Sequence, residues 1–421
     1  MEQRFYRRRV VDDIIEQYLE TFGAICIEGP KWCGKTWTAE EHSKSIFYVG
    51  DPTGNFQNRE LAQLNPSLVL EGEQPRAIDE WQEVPSLWDA VRFHVDHSPG
   101  KGQFILTGSA TPSRKGVLHS GTGRIVTLRM MPMSLYESGD SSALISLESL
   151  CNGILEPRLL EEESLEKIAY LILRGGWPAS IGLATKNAVL VPEMYLNNVV
   201  EEDIDKIDSR KRNKAKVRLL LRSLARAVSS TMGKKKLKED MATVEKDTID
   251  EETIDDYLQI LTQLFILENQ KPFSATLRSS LGMSKAEKLH FTDCSFACSL
   301  LGIRSEEQLI GDLRTFGFLF ESLCIRDLRI YAQPFGGKVY HYKDYQDDEI
   351  DAIIELPDGS WSAFEIKLGA HQIDEAADKL IRINAKFNKP AKSLSVISGL
   401  SNAAYKRDDG VFVVPITSLR P

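Results

Sequence analysis

Residues 29–36 read Gly29-Pro30-Lys31-Trp32-Cys33-Gly34-Lys35-Thr36, a G-x-x-x-x-G-K-T run. The apolar stretch Ala24-Ile25-Cys26-Ile27 before it reads as a buried strand, and Trp37-Thr38-Ala39-Glu40-Glu41 after it continues as a helix. Strand, glycine loop and helix is the context in which such a run cradles phosphate. Loop amides and the helix N-terminus offer partial positive charge to phosphate oxygens. Lys35 is expected to neutralise the β- and γ-phosphates of ATP, and the Thr36 hydroxyl to ligate Mg²⁺. The segment is therefore expected to be an α/β domain with a parallel sheet.

Two acids fit that loop. Ile78-Asp79-Glu80 places an Asp-Glu pair at the end of a short strand. Asp79 is expected to hold Mg²⁺ through water, and Glu80 to orient and polarise the attacking water. The strand is weak by composition, with only Ala77 and Ile78 apolar before the acids. Gln103-Phe104-Ile105-Leu106-Thr107-Gly108-Ser109 reads as a buried strand ending in hydroxyls, so Thr107 or Ser109 is placed to sense the γ-phosphate or the water. An ordinary strand-end turn explains those hydroxyls as well. Gly121-Thr122-Gly123-Arg124 precedes the strand-like Ile125-Val126-Thr127-Leu128. An arginine on such a loop is placed to leave its own domain and reach a neighbouring subunit's γ-phosphate. Arg124 is the first candidate for that task and Arg114 a weaker one, which makes a homo-oligomer the expected state.

Bulk properties narrow the field. The chain has 421 residues, is 42% hydrophobic and 27% charged, and carries a net charge of −9. Such a length accommodates two to four domains. The acidic balance gives no overall pull toward nucleic acid or anionic membrane. Six cysteines lie scattered, without the spacing of a metal site, and reduced thiols in the cytoplasm are expected. Arg7-Arg8-Arg9 is not followed by an apolar run, so no signal peptide is expected, and no apolar run approaches the roughly 20 residues of a membrane span.

The chain resembles one group of prokaryotic AAA+ ATPases. The resemblance rests on Ile78-Asp79-Glu80-Trp81-Gln82-Glu83-Val84-Pro85-Ser86-Leu87, Val91-Arg92-Phe93-His94-Val95-Asp96, Leu106-Thr107-Gly108-Ser109 and Met131-Pro132-Met133-Ser134-Leu135-Tyr136-Glu137. That group joins an N-terminal AAA+ domain to a long C-terminal region. The resemblance implies ATP binding and hydrolysis together with self-association, and says little about the substrate.

Three domains are expected: 1–140 with the phosphate loop, 141–305 helical and winged-helix-like, and 306–421. In the middle part Leu173-Arg174-Gly175-Gly176-Trp177-Pro178 reads as a structural turn. Residues 196–228 read as helices, Thr253–Leu261 as an amphipathic helix and Leu264-Phe265-Ile266-Leu267 as a strand, an order that resembles a winged helix. Lys211, Arg212, Lys214, Lys216 and Arg218, with Lys234-Lys235-Lys236 and Lys238, offer local charge for a DNA backbone. The helix that would enter a groove instead carries Asp250, Glu251, Glu252, Asp255 and Asp256, which repel phosphate, so packing or a protein contact is the favoured reading.

The last third holds a second constellation. Glu349–Leu356, a Pro357-Asp358-Gly359-Ser360 turn and Trp361–Lys367 read as a hairpin. Asp351 then falls beside Glu365 and Lys367, which share one strand face. Asp, hairpin and E-x-K is the PD-(D/E)xK nuclease pattern, with Ile350 where the pattern has proline. Glu321 on the preceding helix is a further acid, and Gln372 follows after a short loop. The expected chemistry is Mg²⁺ held by Asp351, Glu365 and Glu321, with Lys367 assisting the attacking water or the developing charge. The resulting expectation is an ATPase coupled to a DNA-directed, restriction-endonuclease-like domain. The alternative is an ATP-gated scaffold holding a protein partner through a silent version of that fold. A kinase or GTPase reading has only Asn388-Lys389-Pro390-Ala391 in its favour, and alanine stands where the guanine-binding aspartate belongs.

Overall fold

A computed structural model describes residues 6–109, 121–208, 210–244, 249–274 and 286–421. Arg114 lies outside the described residues. The chain divides into two compact units, one of Met1–Pro132, Asp203–Lys211 and Ile260–Phe265, the other of Met133–Glu202, Arg212–Gln259 and Ile266–Pro421. Most of the expected middle segment and all of 306–421 share the second unit.

The first unit is built on five parallel strands, β1 (Ala24–Glu28), β2 (Ser45–Tyr48), β3 (Arg76–Asp79), β4 (Phe104–Gly108) and β5 (Ile125–Arg129), in the order β2-β3-β4-β1-β5. Parallel sheets are covered on both faces, and β1 shows why this sequence complies. Ala24 and Cys26 enter one core with Ile78, Trp81, Trp88, Phe104 and Leu106. Ile25 and Ile27 enter the other with Ile14, Ile15, Ala77, Ile105 and Leu128. Alternate side chains thus seal opposite faces of one strand. The weakly apolar β3 forms because Ala77 and Ile78, one for each core, are fully buried. All five strands point the same way, so the segments after β1, β3 and β4 emerge along one sheet edge. Ligands of open α/β sheets bind outside that carboxyl edge.

The second unit contains a seven-stranded mixed sheet and a two-stranded one. With β6 (Ile145–Ser146), β7 (Arg158–Leu159), β8 (Lys338–Lys343), β9 (Glu349–Glu355), β10 (Trp361–Lys367), β11 (Leu394–Ser398), β12 (Ala403–Lys406), β13 (Phe412–Pro415) and β14 (Leu419–Arg420), the large sheet runs β7-β12-β13-β11-β10-β9-β8, and β14 pairs with β6. Neighbours β8, β9 and β10 are antiparallel, and β10, β11 and β13 are parallel. Helix Leu313–Ala332 immediately precedes β8 in sequence. Helix Ile373–Asn384 lies between β10 and β11 and sends Ile373, Ala376, Ala377, Leu380 and Ile383 into a core with Ile353, Trp361 and Val396.

The Gly175-Gly176-Trp177 turn is structural, as its composition suggests. A Cβ on Gly175 would stand 2.4 Å from Asp293 Oδ1, and one on Gly176 would stand 2.1 Å from the Met133 carbonyl oxygen. Trp177 is fully buried and its Nε1 donates to Ser295 Oγ at 3.0 Å. Asp293 in turn accepts from the Gly176 N–H at 2.9 Å and pairs with buried Arg326, whose other partner is Asp327.

Helices Lys214–Arg226, Lys234–Val244 and Glu251–Gln263 occupy the middle. Residues 264–266 form a turn and not the expected strand, with Phe265 at φ 59°. Among the described residues, the pairing that follows consists of isolated bridges, Leu267↔Phe291, Gln270↔Lys288 and Pro272↔His341. Much of the basic charge meets acids of the same unit. Arg212 pairs with Asp256 at 3.0 Å, Lys234 with Asp255 at 2.6 Å, and Lys214 and Arg218 each with Glu201 at 2.8 Å.

Candidate functional sites

The phosphate loop leaves β1 at Glu28 and turns into helix Lys35–Glu41. Its first glycine is required by space: a Cβ on Gly29 would stand 2.1 Å from the Met130 carbonyl oxygen. Its second, Gly34, sits at φ 108°, where only glycine is unstrained. Arg9 braces the loop. It is buried, and its Nη1 and Nη2 donate to the carbonyls of Cys33 at 2.7 Å and Met131 at 2.8 Å. The Lys35 ammonium donates to the carbonyls of Gly29 at 3.0 Å and Pro30 at 2.8 Å. Lys31 pairs with Asp203 at 2.8 Å.

The expected acids converge on this loop. Thr36 Oγ1 donates to Asp79 Oδ1 at 2.8 Å, and Thr107 Oγ1 donates to the same oxygen at 2.6 Å. The Glu80 N–H donates to Thr107 Oγ1 at 3.1 Å, and Ser109 Oγ donates to Glu80 Oε2 at 3.0 Å. Gln82 Nε2 also donates to Glu80 Oε2. Glu80 adopts φ 57° and ψ 45°, a left-handed conformation unusual for a residue with a side chain. A hydroxyl, an adjacent carboxylate, a cationic side chain and a helix N-terminus are the donor set that Mg²⁺ and a triphosphate require, so the residues fit that group.

Arg124 is elsewhere. It precedes β5, its carbonyl accepts from the Ala24 N–H at 3.1 Å, and its side chain pairs with Asp96 at 2.5 Å. That is the amino edge of the sheet, about 13 Å from the carboxyl edge by the rise of β1. Arg124 is thus removed from its own loop. Sequence reasoning missed Arg9, Gln82 and Asp203. Nothing local marks Arg9 or Asp203, and Gln82 was visible only as a polar residue two positions after an acid.

The second constellation also assembles, with partners that were not expected. Pairing of β9 with β10 runs to Phe364↔Ala352, so Asp351 lies beside Glu365–Lys367, and Asp351 Oδ2 accepts from the Ile366 N–H at 2.9 Å. Glu321, from helix Leu313–Ala332, joins them through Lys288. The Lys288 ammonium stands 2.7 Å from Glu321, 2.6 Å from Glu349 and 3.4 Å from Asp351. Glu365 is held by Lys379 at 2.8 Å and Lys367 at 3.0 Å. Gln372 accepts from the Gly369 N–H at 3.3 Å.

Burial works to raise the Asp351 pKa, but the charges of Lys288, Lys367 and Lys379 outweigh it and bring it down to about 2. Burial, aided by Asp351, pushes Glu365 up to about 6. Burial likewise pushes Glu321 up to about 8 despite Lys288. Mg²⁺ needs oxygen ligands near 2.1 Å in octahedral array. Here ammonium groups stand among the carboxylates at hydrogen-bond distances, so the expectation that Glu321, Asp351 and Glu365 ligate Mg²⁺ does not fit. Among the described residues, no group of three or more His, Cys, Asp or Glu is arranged to hold a metal, and no helix is long and apolar enough to cross a membrane.

Comparison with known proteins agrees with the first site. Residues 21–139 match the family described as "AAA domain". Residues 165–307 and 316–419 match two families described as domains of unknown function. Two uncharacterized proteins, of Mycobacterium bovis and Mycobacterium tuberculosis, are each 23% identical over 347 residues, 82% of this chain and 70% of theirs. A solved Walker-type ATPase of Pyrococcus abyssi aligns over 71% of this chain and 97% of its own, at 15% identity and a TM-score of 0.43.

Proposed function

We propose that the protein binds and hydrolyses ATP at the carboxyl edge of the N-terminal sheet. The observation that carries this reading is the meeting of the Thr36 and Thr107 hydroxyls on one oxygen of Asp79, with Glu80 next in chain. Lys35 leaves its loop carbonyls to neutralise the β- and γ-phosphates. Thr36 and Asp79 hold Mg²⁺, whose charge offsets that developing on the phosphate oxygens. Glu80, held by Ser109 and Gln82, orients the attacking water and draws on its proton. Thr107 links the metal-binding acid to the Glu80 backbone. Arg124, far from its own loop, serves a neighbouring copy in a homo-oligomer.

The test is ATP turnover beside nucleotide binding. Lys35→Ala should lose tight binding. Glu80→Gln should bind normally and hydrolyse slowly. Normal turnover in Glu80→Gln would reject the assignment.

For the second unit we favour a nuclease-like fold used as a binding module over a DNA-cleaving one. Lysines already neutralise its carboxylates, and Arg212 and Lys234, which the sequence offers as charge for a DNA backbone, face acids of their own unit. ATP state would then gate a protein partner. Mg²⁺-dependent nicking of plasmid DNA by the intact chain, absent in Asp351→Ala, would restore the cleaving version.

A further inference from the structure

Lys288 is 1% exposed, yet its ammonium faces three carboxylates from two elements: Glu321 on helix Leu313–Ala332, and Glu349 and Asp351 on β9. Chain pairing puts it there. Lys288 exchanges both backbone hydrogen bonds with Gln270 at 2.9 Å. Gln270 Nε2 is anchored on the carbonyls of Tyr340 at 2.8 Å and Asp351 at 3.0 Å. The same segment then runs along β8, with the Phe273 N–H donating to the His341 carbonyl at 2.7 Å and the His341 N–H to the Lys271 carbonyl at 3.0 Å. Two separate stretches of chain thus fix the lysine against the end of the hairpin.

We propose that Lys288 is the resident cation of this cluster, standing where a divalent metal would otherwise bind, so that the native site excludes Mg²⁺ and Mn²⁺. The inference rests on the binding-module reading above, and its test reads metal occupancy and not a cleavage product. An unpaired buried charge is very costly, so the carboxylates require a counter-charge of some kind. Four carboxylates face four ammonium groups, those of Lys288, Lys367 and Lys379 and that of Lys343, 3.7 Å from Glu349. Ammonium and carboxylate groups are thus equal in number with no added ion. A dication would overcharge the cluster, and it would have to displace a buried ammonium. Lys288 is also too enclosed to act on a substrate. Its position is that of a counter-ion.

The experiment counts Mn²⁺ bound to the nucleotide-free intact chain, by the electron-spin resonance of the free ion at sub-millimolar metal. Wild type and Asp351→Asn should bind the same amount. Lys288→Ala should gain one site per chain, and Lys288→Ala/Asp351→Asn should lose it again. A wild-type site that disappears in Asp351→Asn would overturn the proposal. So would a Lys288→Ala protein with native circular dichroism that gains no site. Should Lys288→Ala fail to fold, the comparison of wild type with Asp351→Asn decides alone.

Discussion

Asp79 with Glu80 and Asp351 with Glu365 are both pairs of acids that a sheet brings together, and they differ in what surrounds them. Hydroxyls and the Gln82 side-chain amide meet the first pair, which is only partly buried. Ammonium groups meet the second, in which Asp351 is 7% and Glu365 0% exposed. A hydroxyl orients a carboxylate and leaves its charge available to an arriving cation. An ammonium consumes that charge. Two carboxylates brought together by a sheet therefore do not define a metal site until their counter-groups are known.

The comparison can be broken experimentally, and the largest effect belongs to the second pair. Lys288→Met should destabilise the protein by about 3–5 kcal/mol in denaturant unfolding, because it strands buried carboxylates. A loss under ~1 kcal/mol would mean that water already screens them. Next comes Glu80→Gln, which should slow hydrolysis by on the order of 10²–10³-fold with nucleotide affinity unchanged, read by single-turnover kinetics. Arg124→Ala should lower turnover by about tenfold or more in the assembled protein without altering binding. Mixing it with Lys35→Ala chains should partly restore turnover if the arginine acts on a neighbour, and no rescue at any ratio would exclude that route.

The smallest effect is one of pH. Asp351 is held at about 2 against an ordinary 3.8. Its contribution to stability is therefore complete above the unfolded value and lost as pH falls through the folded one. The stability gap between wild type and Asp351→Asn should be full at neutral pH and narrow as pH falls from about 4 toward about 2. A gap independent of pH would show that the mutation acts through packing.

Legibility in the sequence followed chain distance. The phosphate loop, the β9–β10 hairpin and the shared face of Glu365 and Lys367 depend on neighbours a few residues apart, and periodicity and turn chemistry reveal them. The β3 strand was readable despite its poor composition because the acids mark its end. Lys288 was not legible: it lies 63 residues from Asp351, and its place depends on pairing between two other segments. Arg9 is the same kind of case, reaching Met131 across 122 positions. The strand expected at 264–267 failed because an apolar run cannot reveal that Phe265 adopts a positive φ. Arg124 was placed correctly before a strand, but which sheet edge it occupies follows from strand direction, a tertiary property.

The left-handed backbone at Glu80 has a consequence for anyone breeding hardier versions of this protein. Glycine would relax that turn, by about 1 kcal/mol, and would delete the carboxylate in the same stroke. Screening variants for heat tolerance alone should therefore enrich Glu80→Gly, yielding sturdy molecules that hold ATP and do not spend it.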